Sequence, residues 1–198
     1  MERSSNTYVK KLVLLSVLGA ISFVVMLFEF PLLFIAPSFY ELDLSETVVL
    51  MGGFAVGPWA APVIELVKIL LKLLIKGTST GFVGEFANFA VGCAFTFTAA
   101  LIYKYKKTLK GALLSLSVGT LVLGVAGVFL NYYLMIPFYT KFMPIEAIVD
   151  AGKSIIPAID SLWSFVWFSV FPFNLLKGVF CSALCFLLYK RLSKILHI

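Results

Sequence analysis

Charge is scarce in this sequence. Only 13% of its 198 residues are Asp, Glu, Lys or Arg, against about 25% in a soluble domain. Histidine is nearly absent. The single copy, His197, stands next to last in a basic tail, so the apolar segments hold no histidine to act as a base or metal ligand. Cysteine occurs three times, as Cys93, Cys181 and Cys185, each inside an apolar run. No C-x-x-C or Cys/His spacing is present, so these read as small buried packing residues rather than a redox or metal site. A Ser-His-Asp set, an H-E-x-x-H motif and paired intramembrane aspartates are all missing, which removes the usual catalytic chemistries. The segment AGKS at 151–154 resembles the end of a phosphate-binding loop, but the full motif needs a glycine where Ala147 stands. The chain therefore carries no ATPase of its own. No internal repeat or low-complexity stretch is visible.

What is present is apolar. Hydrophobic residues make up 61% of the chain and the mean hydropathy is +1.03. This composition describes an all-α integral membrane protein, with residues 1–198 forming a single domain. Six membrane spans are predicted, at about 12–28, 47–57, 60–75, 84–103, 111–136 and 171–189. A span normally takes about 20 residues, so the second and third are short and are expected to be tilted or to begin within their loops. The GPWAAP turn between them implies an antiparallel pair. The first run is too long for a signal-peptide core, and FEFPLLF follows it in place of a cleavage site, so it is expected to remain a helix.

The net charge of +6 does not indicate nucleic acid, because the basic residues sit at the ends of apolar runs. Arg3, Lys10, Lys11, Lys104, Lys106, Lys107, Lys110, Lys190, Arg191 and Lys194 mark the N-terminus, the 104–110 loop and the C-terminus. These are expected to be cytoplasmic. The 29–46 loop contains Glu29, Glu41, Asp43 and Glu46 with no basic residue, and the 137–170 loop is mixed, so both are expected outside. Within the second of these, Ile145, Ile148, Val149 and Gly152 keep helical spacing, and Trp163 and Trp167 suit an interfacial position.

The polar residues inside the spans gather at one depth. FPFNLLKG at 171–178 places Asn174 and Lys177 one helical turn apart. A lysine at a helix centre costs about 2.5–3.5 kcal/mol on insertion scales, so it is expected to face protein, water or a ligand. The predicted topology brings Asn131, Glu85 and Asn88 to the same outer half, with Lys72 and Lys76 near the third exit and Glu41 and Asp43 in the loop above. Phe86, Phe89, Phe129, Tyr132, Tyr133 and Phe173 would line the resulting pocket, whose apolar walls and few convergent polar groups suit a small molecule. The aromatics suit a flat conjugated ligand. Competing readings stand beside this one. Lys177 could snorkel to the interface, the asparagines could be interhelical glue worth about 0.6 kcal/mol, and the aromatics could face core or lipid. Glu65 and Lys68, three apart, read as a structural ion pair. Two small-x-x-x-small pairs, Ser16/Ala20 and Gly53/Gly57, allow close helix approach, to a partner or internally.

Across almost its whole length the chain resembles a family. The carrying segments are LLSVLGAISFV, FYELDLSETVVLMGGFAVGP, ELVKILLKLL, GEFANFAVG, FLNYYLMIPFY and FPFNLLKG, in that order. They are similar to the riboflavin-specific substrate-binding (S) component of energy-coupling factor (ECF) vitamin transporters. The resemblance implies a multi-pass protein of the bacterial plasma membrane that captures riboflavin from outside. It implies no enzymatic activity and no cofactor, riboflavin being cargo. The implied partners are a transmembrane coupling (T) subunit and two ATP-binding subunits. Asn131, Asn174 and Lys177 are implied as hydrogen-bond partners of the flavin. Glu41, Leu42 and Asp43 would lie nearby in the loop, and Asn88 would contribute with its aromatic neighbours. On the first helix the family's alanine pair against the coupling subunit corresponds to Ser16 and Ala20. The alternatives are an S component for thiamin or biotin, and a small intramembrane enzyme or structural membrane protein.

Overall fold

The structure is a computed structural model that describes the backbone of residues 2–196 and the side chains of residues 8–188. His197 lies outside the described residues, as do the side chains of Arg3, Lys190, Arg191 and Lys194.

Helix dominates, as it must where backbone polar groups have no water to bond. α1 spans Glu2–Met26 and leads into the outer loop, which is pinned by a two-residue antiparallel ladder. In it β1 (Phe30–Pro31) pairs with β2 (Glu41–Leu42), Phe30 opposite Leu42. α2 (Glu46–Val56) and α3 (Ala60–Lys76) follow, joined through Gly57. That glycine has φ +129, a backbone conformation that a side chain would strain, so the tight turn read from GPWAAP depends on it. α4 covers Val83–Tyr105. α5 runs as Leu109–Leu130, a π turn over Asn131–Met135, and a last α-turn Ile136–Tyr139. α6 (Ile145–Lys153) is short, and α7 opens as Leu162–Phe165, passes a π turn at Val166–Val170 and continues as Phe171–Leu196.

Among the described residues four stretches are long and apolar enough to cross a membrane: Tyr8–Met26, Val83–Tyr105, Leu109–Tyr139 and Leu162–Leu188. α2 has 11 residues, about 16 Å at about 1.5 Å per residue, or half of a hydrocarbon core about 30 Å thick. α3 has 17. Three expected boundaries move. The fifth helix extends to Tyr139, the last begins at Leu162, nine residues before the expected start, and the first begins at Glu2, ten residues before its expected span. Ser161 explains the second shift: its hydroxyl accepts the Ser164 N–H, and the Ser164 hydroxyl in turn accepts the Ser161 N–H, a reciprocal cap that starts a helix before the apolar run. The hydroxyls of Ser164 and Ser161 also hold the exposed Asp160 carboxyl below its ordinary range.

Packing sorts the small residues. A Cβ at Gly19 would fall 2.4 Å from Val67 and one at Gly53 2.9 Å from Ala100, so these glycines let α1 approach α3 and α2 approach α4. Gly53 and Gly57 therefore serve internal packing and a turn, whereas Ser16 and Ala20 lie on the exposed face of α1. Gly152 of the AGKS segment packs against Phe165, where a Cβ would come within 2.5 Å; its role is to seat α6 on α7. Cys181 and Cys185 are free thiols in the core shared by α2, α4, α5 and α7.

Candidate functional site

The π turns lie beside each other near the ends of α5 and α7, in one apolar cluster with Val128, Ile148 and Phe165. Such turns recur at functional sites because the added residue re-aims the side chains around it. Here they flank the two asparagines. Asn131 opens the first π turn, and Asn174 lies one turn beyond the second. Each anchors its amide on the preceding turn of its own helix. Asn131 Nδ2 donates to the Gly127 carbonyl at 2.8 Å and Asn174 Nδ2 to the Val170 carbonyl at 2.9 Å. Gly127 serves both, since a Cβ there would fall 2.6 Å from Asn174 Nδ2. Its missing side chain is the space Asn174 occupies.

Lys177 completes this wall, and its partner comes from 134 residues away: Nζ lies 2.8 Å from Asp43 Oδ2. Asp43 is buried at the root of the outer loop and accepts from the N–H and hydroxyl of Ser45. Beneath it Lys68 joins Glu46 at 2.8 Å and Glu65 at 2.7 Å, and Lys177 reaches Glu46 at 4.0 Å. The i, i+3 pair read from the sequence is thus part of a five-residue buried network. Lys177 does not snorkel outward. Charge pairing with Asp43 is what stabilises its ammonium inside the protein.

Above these residues is a cavity of about 160 Å³. The loop closes over it. Tyr40 donates its hydroxyl to Asn131 Oδ1 at 2.7 Å and packs its ring on Phe173 and Phe165. Ser169 Oγ donates to the Ile35 carbonyl, and Ala36 and Leu42 bury against Phe173. Larger grooves exist elsewhere, about 510 Å³ beside Trp59 and Lys104 and about 700 Å³ between α5 and α7. The latter is apolar and the former lacks buried amides, so convergence of polar groups rather than volume singles out the outer cavity.

The structure brings six of the expected site residues to the cavity: Asn131, Asn174, Lys177, Asn88, Glu41 and Phe173. It does not bring four others. Leu42 is buried under the loop, and Asp43 is spent on Lys177. Tyr132 packs edge-on against Trp163 and Tyr133. Phe86 is 58% exposed on the outer face of α4. Phe129 and Tyr133, also expected in the lining, are exposed and stack on each other. Glu85 does not enter the lining either; it accepts from Thr78 and Thr80 and faces Lys72 at 3.9 Å. Tyr40, Glu46, Gly127 and Gly92 were not readable as site residues. A tyrosine next to Glu41 in an acidic loop is the one signal that pointed to any of them. Among the described residues no group of three or more His, Cys, Asp or Glu is placed to hold a metal ion.

The chain is similar to known proteins over most of its length. A family model described as "ECF transporter, substrate-specific component" matches residues 10–189. The riboflavin transporter RibU of Staphylococcus aureus (strain TCH60) is 35% identical over 187 residues, 94% of this chain and 92% of that protein. The riboflavin transporter FmnP of Bacillus subtilis (strain 168) is 32% identical over 186 residues, 93% of each. A solved structure described as the S component of a bacterial ECF transporter superimposes with a TM-score of 0.73 at 33% identity, covering 94% of this chain and 97% of that one.

Proposed function

Because this chain belongs to the family of ECF transporter substrate-specific components, we propose that it is the riboflavin-binding membrane subunit of an ATP-driven importer. The observation that carries this reading is the convergence of Asn131, Asn174 and Lys177, from two helices, on one cavity under the outer loop. Two amides and an ammonium supply donors and acceptors for the carbonyl edge and hydroxyls of a neutral flavin. Phe173 offers a ring for offset stacking, and Asn88 and Glu41 reach the same space from α4 and β2. Leu42 and Asp43 act one step back, holding the loop and the lysine.

Pockets for drug-sized ligands are about 300–1,000 Å³, so a cavity of about 160 Å³ must widen to take a flavin. Tyr40 is the group that moves, because its hydroxyl occupies the Asn131 acceptor and its ring roofs the space. In this mechanism the loop swings out, the vitamin takes over the Asn131 bond, and the loop recloses. α1–α5 and α7 cross the membrane with both termini cytoplasmic, the short α2 and α3 pairing their buried lysine and glutamates within the protein. The exposed Ser16–Ala20 face of α1 meets the coupling subunit, and two ATP-binding subunits supply the energy.

The test is spectroscopic. Protein purified from riboflavin-replete cells is expected to be yellow, and the apoprotein to quench riboflavin fluorescence at saturable stoichiometry, with thiamin and biotin failing to compete. Asn131→Ala is expected to weaken binding by about 2- to 10-fold and Lys177→Ala by about 10- to 100-fold, with membrane insertion intact. A colourless protein that ignores added riboflavin would end this reading.

A further inference from the structure

The buried charges under the cavity do not balance. Asp43, Glu46 and Glu65 bring three carboxylates against the two ammonium groups of Lys68 and Lys177, and none of the five is more than 9% exposed. An uncompensated carboxylate in such a place is not sustained; it acquires a positive partner or a proton. The excess sits between α2 and α3. Glu46 Oε1 and Glu65 Oε2 flank the same Lys68 Nζ at 2.8 and 2.7 Å, which puts them less than 6 Å apart. A Cβ on Gly92 of α4 would lie 2.8 Å from Glu65 Oε1 and 3.0 Å from Glu46 Oε1, so the absent side chain is what lets the two carboxyl groups meet. Glu46 Oε2 and Glu65 Oε1 have no hydrogen-bond partner, and Glu65 Oε2 meets only the Lys68 ammonium.

Among the described residues nothing around the pair supplies the missing charge. The other titratable groups near it are Asp43 in the loop, Lys177 and the Cys181 thiol on α7, and the Cys93 thiol on α4. Among its described side chains α1 brings the Ser22 hydroxyl, which donates to the Ser45 carbonyl. We propose that Glu46 and Glu65 form a carboxylic acid–carboxylate pair that binds one proton, a proton site built into the floor of the vitamin cavity. The proton comes from solvent, bonds to an oxygen of one glutamate and is donated to the other. Two carboxylates this close in a water-excluded site do not both ionise. With the proton bound, the five-residue network is neutral, and Glu46, which lines the cavity, presents no net negative charge to a ligand above.

Infrared spectroscopy of the intact protein in detergent at neutral pH tests this without any vitamin, so its outcome is separate from that of the riboflavin reading. The expected result is the carbonyl stretch of a protonated carboxylic acid, moving on carboxyl-¹³C-glutamate labelling and on exchange into D₂O. The band is expected to vanish in Glu65→Gln and in Glu46→Gln. Each of these is expected to melt within a few degrees of the parent, since glutamine is the neutral isostere of the protonated acid. The double variant strips Lys68 of both partners and is expected to melt roughly 10 °C or more lower. A parent protein with no such band, a band that disappears on adding sodium ions, or a Glu65→Gln protein as unstable as the double variant would each overturn the proposal.

Discussion

The two walls of the cavity solve the burial of polar groups differently. On the α2–α3 side the polar groups are charged and face one another: Lys68 is shared between Glu46 and Glu65, and Lys177 closes on Asp43. On the α5–α7 side they are amides, each tied to its own helix by one bond; both line the cavity, and Asn131 Oδ1 is capped by the Tyr40 hydroxyl of the loop. The first wall holds together helices too short and too charged to span a membrane by hydropathy alone. The second is left incomplete, and an incomplete wall of weak, neutral groups is what a neutral ligand can complete and later leave. Lys177 belongs to both, since it lines the cavity and holds Asp43 at the root of the loop.

The comparison breaks most sharply at Lys68. Lys68→Met removes the cation between two carboxylates and is expected to cost about 3–5 kcal/mol of stability, read as a lowered melting temperature in detergent; a protein that melts like the parent would mean that the charged wall is not structural. Gly127→Ala strikes the amide wall instead. The added methyl meets Asn174, and the expected cost of overpacking, about 1–3 kcal/mol of stability, should appear as a lowered melting temperature accompanied by weaker binding in riboflavin titrations. Tyr40→Phe sharpens the role of the loop. With the Asn131 acceptor released, riboflavin should bind about 2- to 10-fold tighter and associate faster in stopped-flow quenching; weaker binding would instead make the Tyr40 hydroxyl a ligand contact. The smallest effect is expected at Phe86→Ala, on the exposed face of α4, with riboflavin affinity unchanged within about twofold.

Legibility followed the same division. The grouping of Asn131, Asn174 and Lys177, which the structure brings to one cavity, was readable because polar residues are conspicuous in apolar helices. The facing of the aromatics was not. In a membrane both the lipid side and the core side of a helix are apolar, so the periodicity that marks a buried face in a soluble helix carries no such information for Phe86, Phe129 or Tyr133. The Glu65–Lys68 pair was readable from its i, i+3 spacing, but Glu46 was not, because it reaches Lys68 across two elements. The π turns left no signal at all. They arise where α5 and α7 pack against each other near their ends, and nothing in NYYLM or VWFSV demands them.

By itself the sequence determined that this chain is helical and membrane-embedded, where its apolar runs lie, and which polar residues interrupt them. Those properties follow from hydropathy, length and the position of lysines and arginines, all local quantities. Only the tertiary structure decided that Asp43 holds Lys177, that Tyr40 roofs the cavity, that Gly127 makes room for Asn174 and Gly92 for two glutamates. Each of these joins residues far apart in the chain, and contact at that range is set by how whole helices pack, which no window of sequence contains.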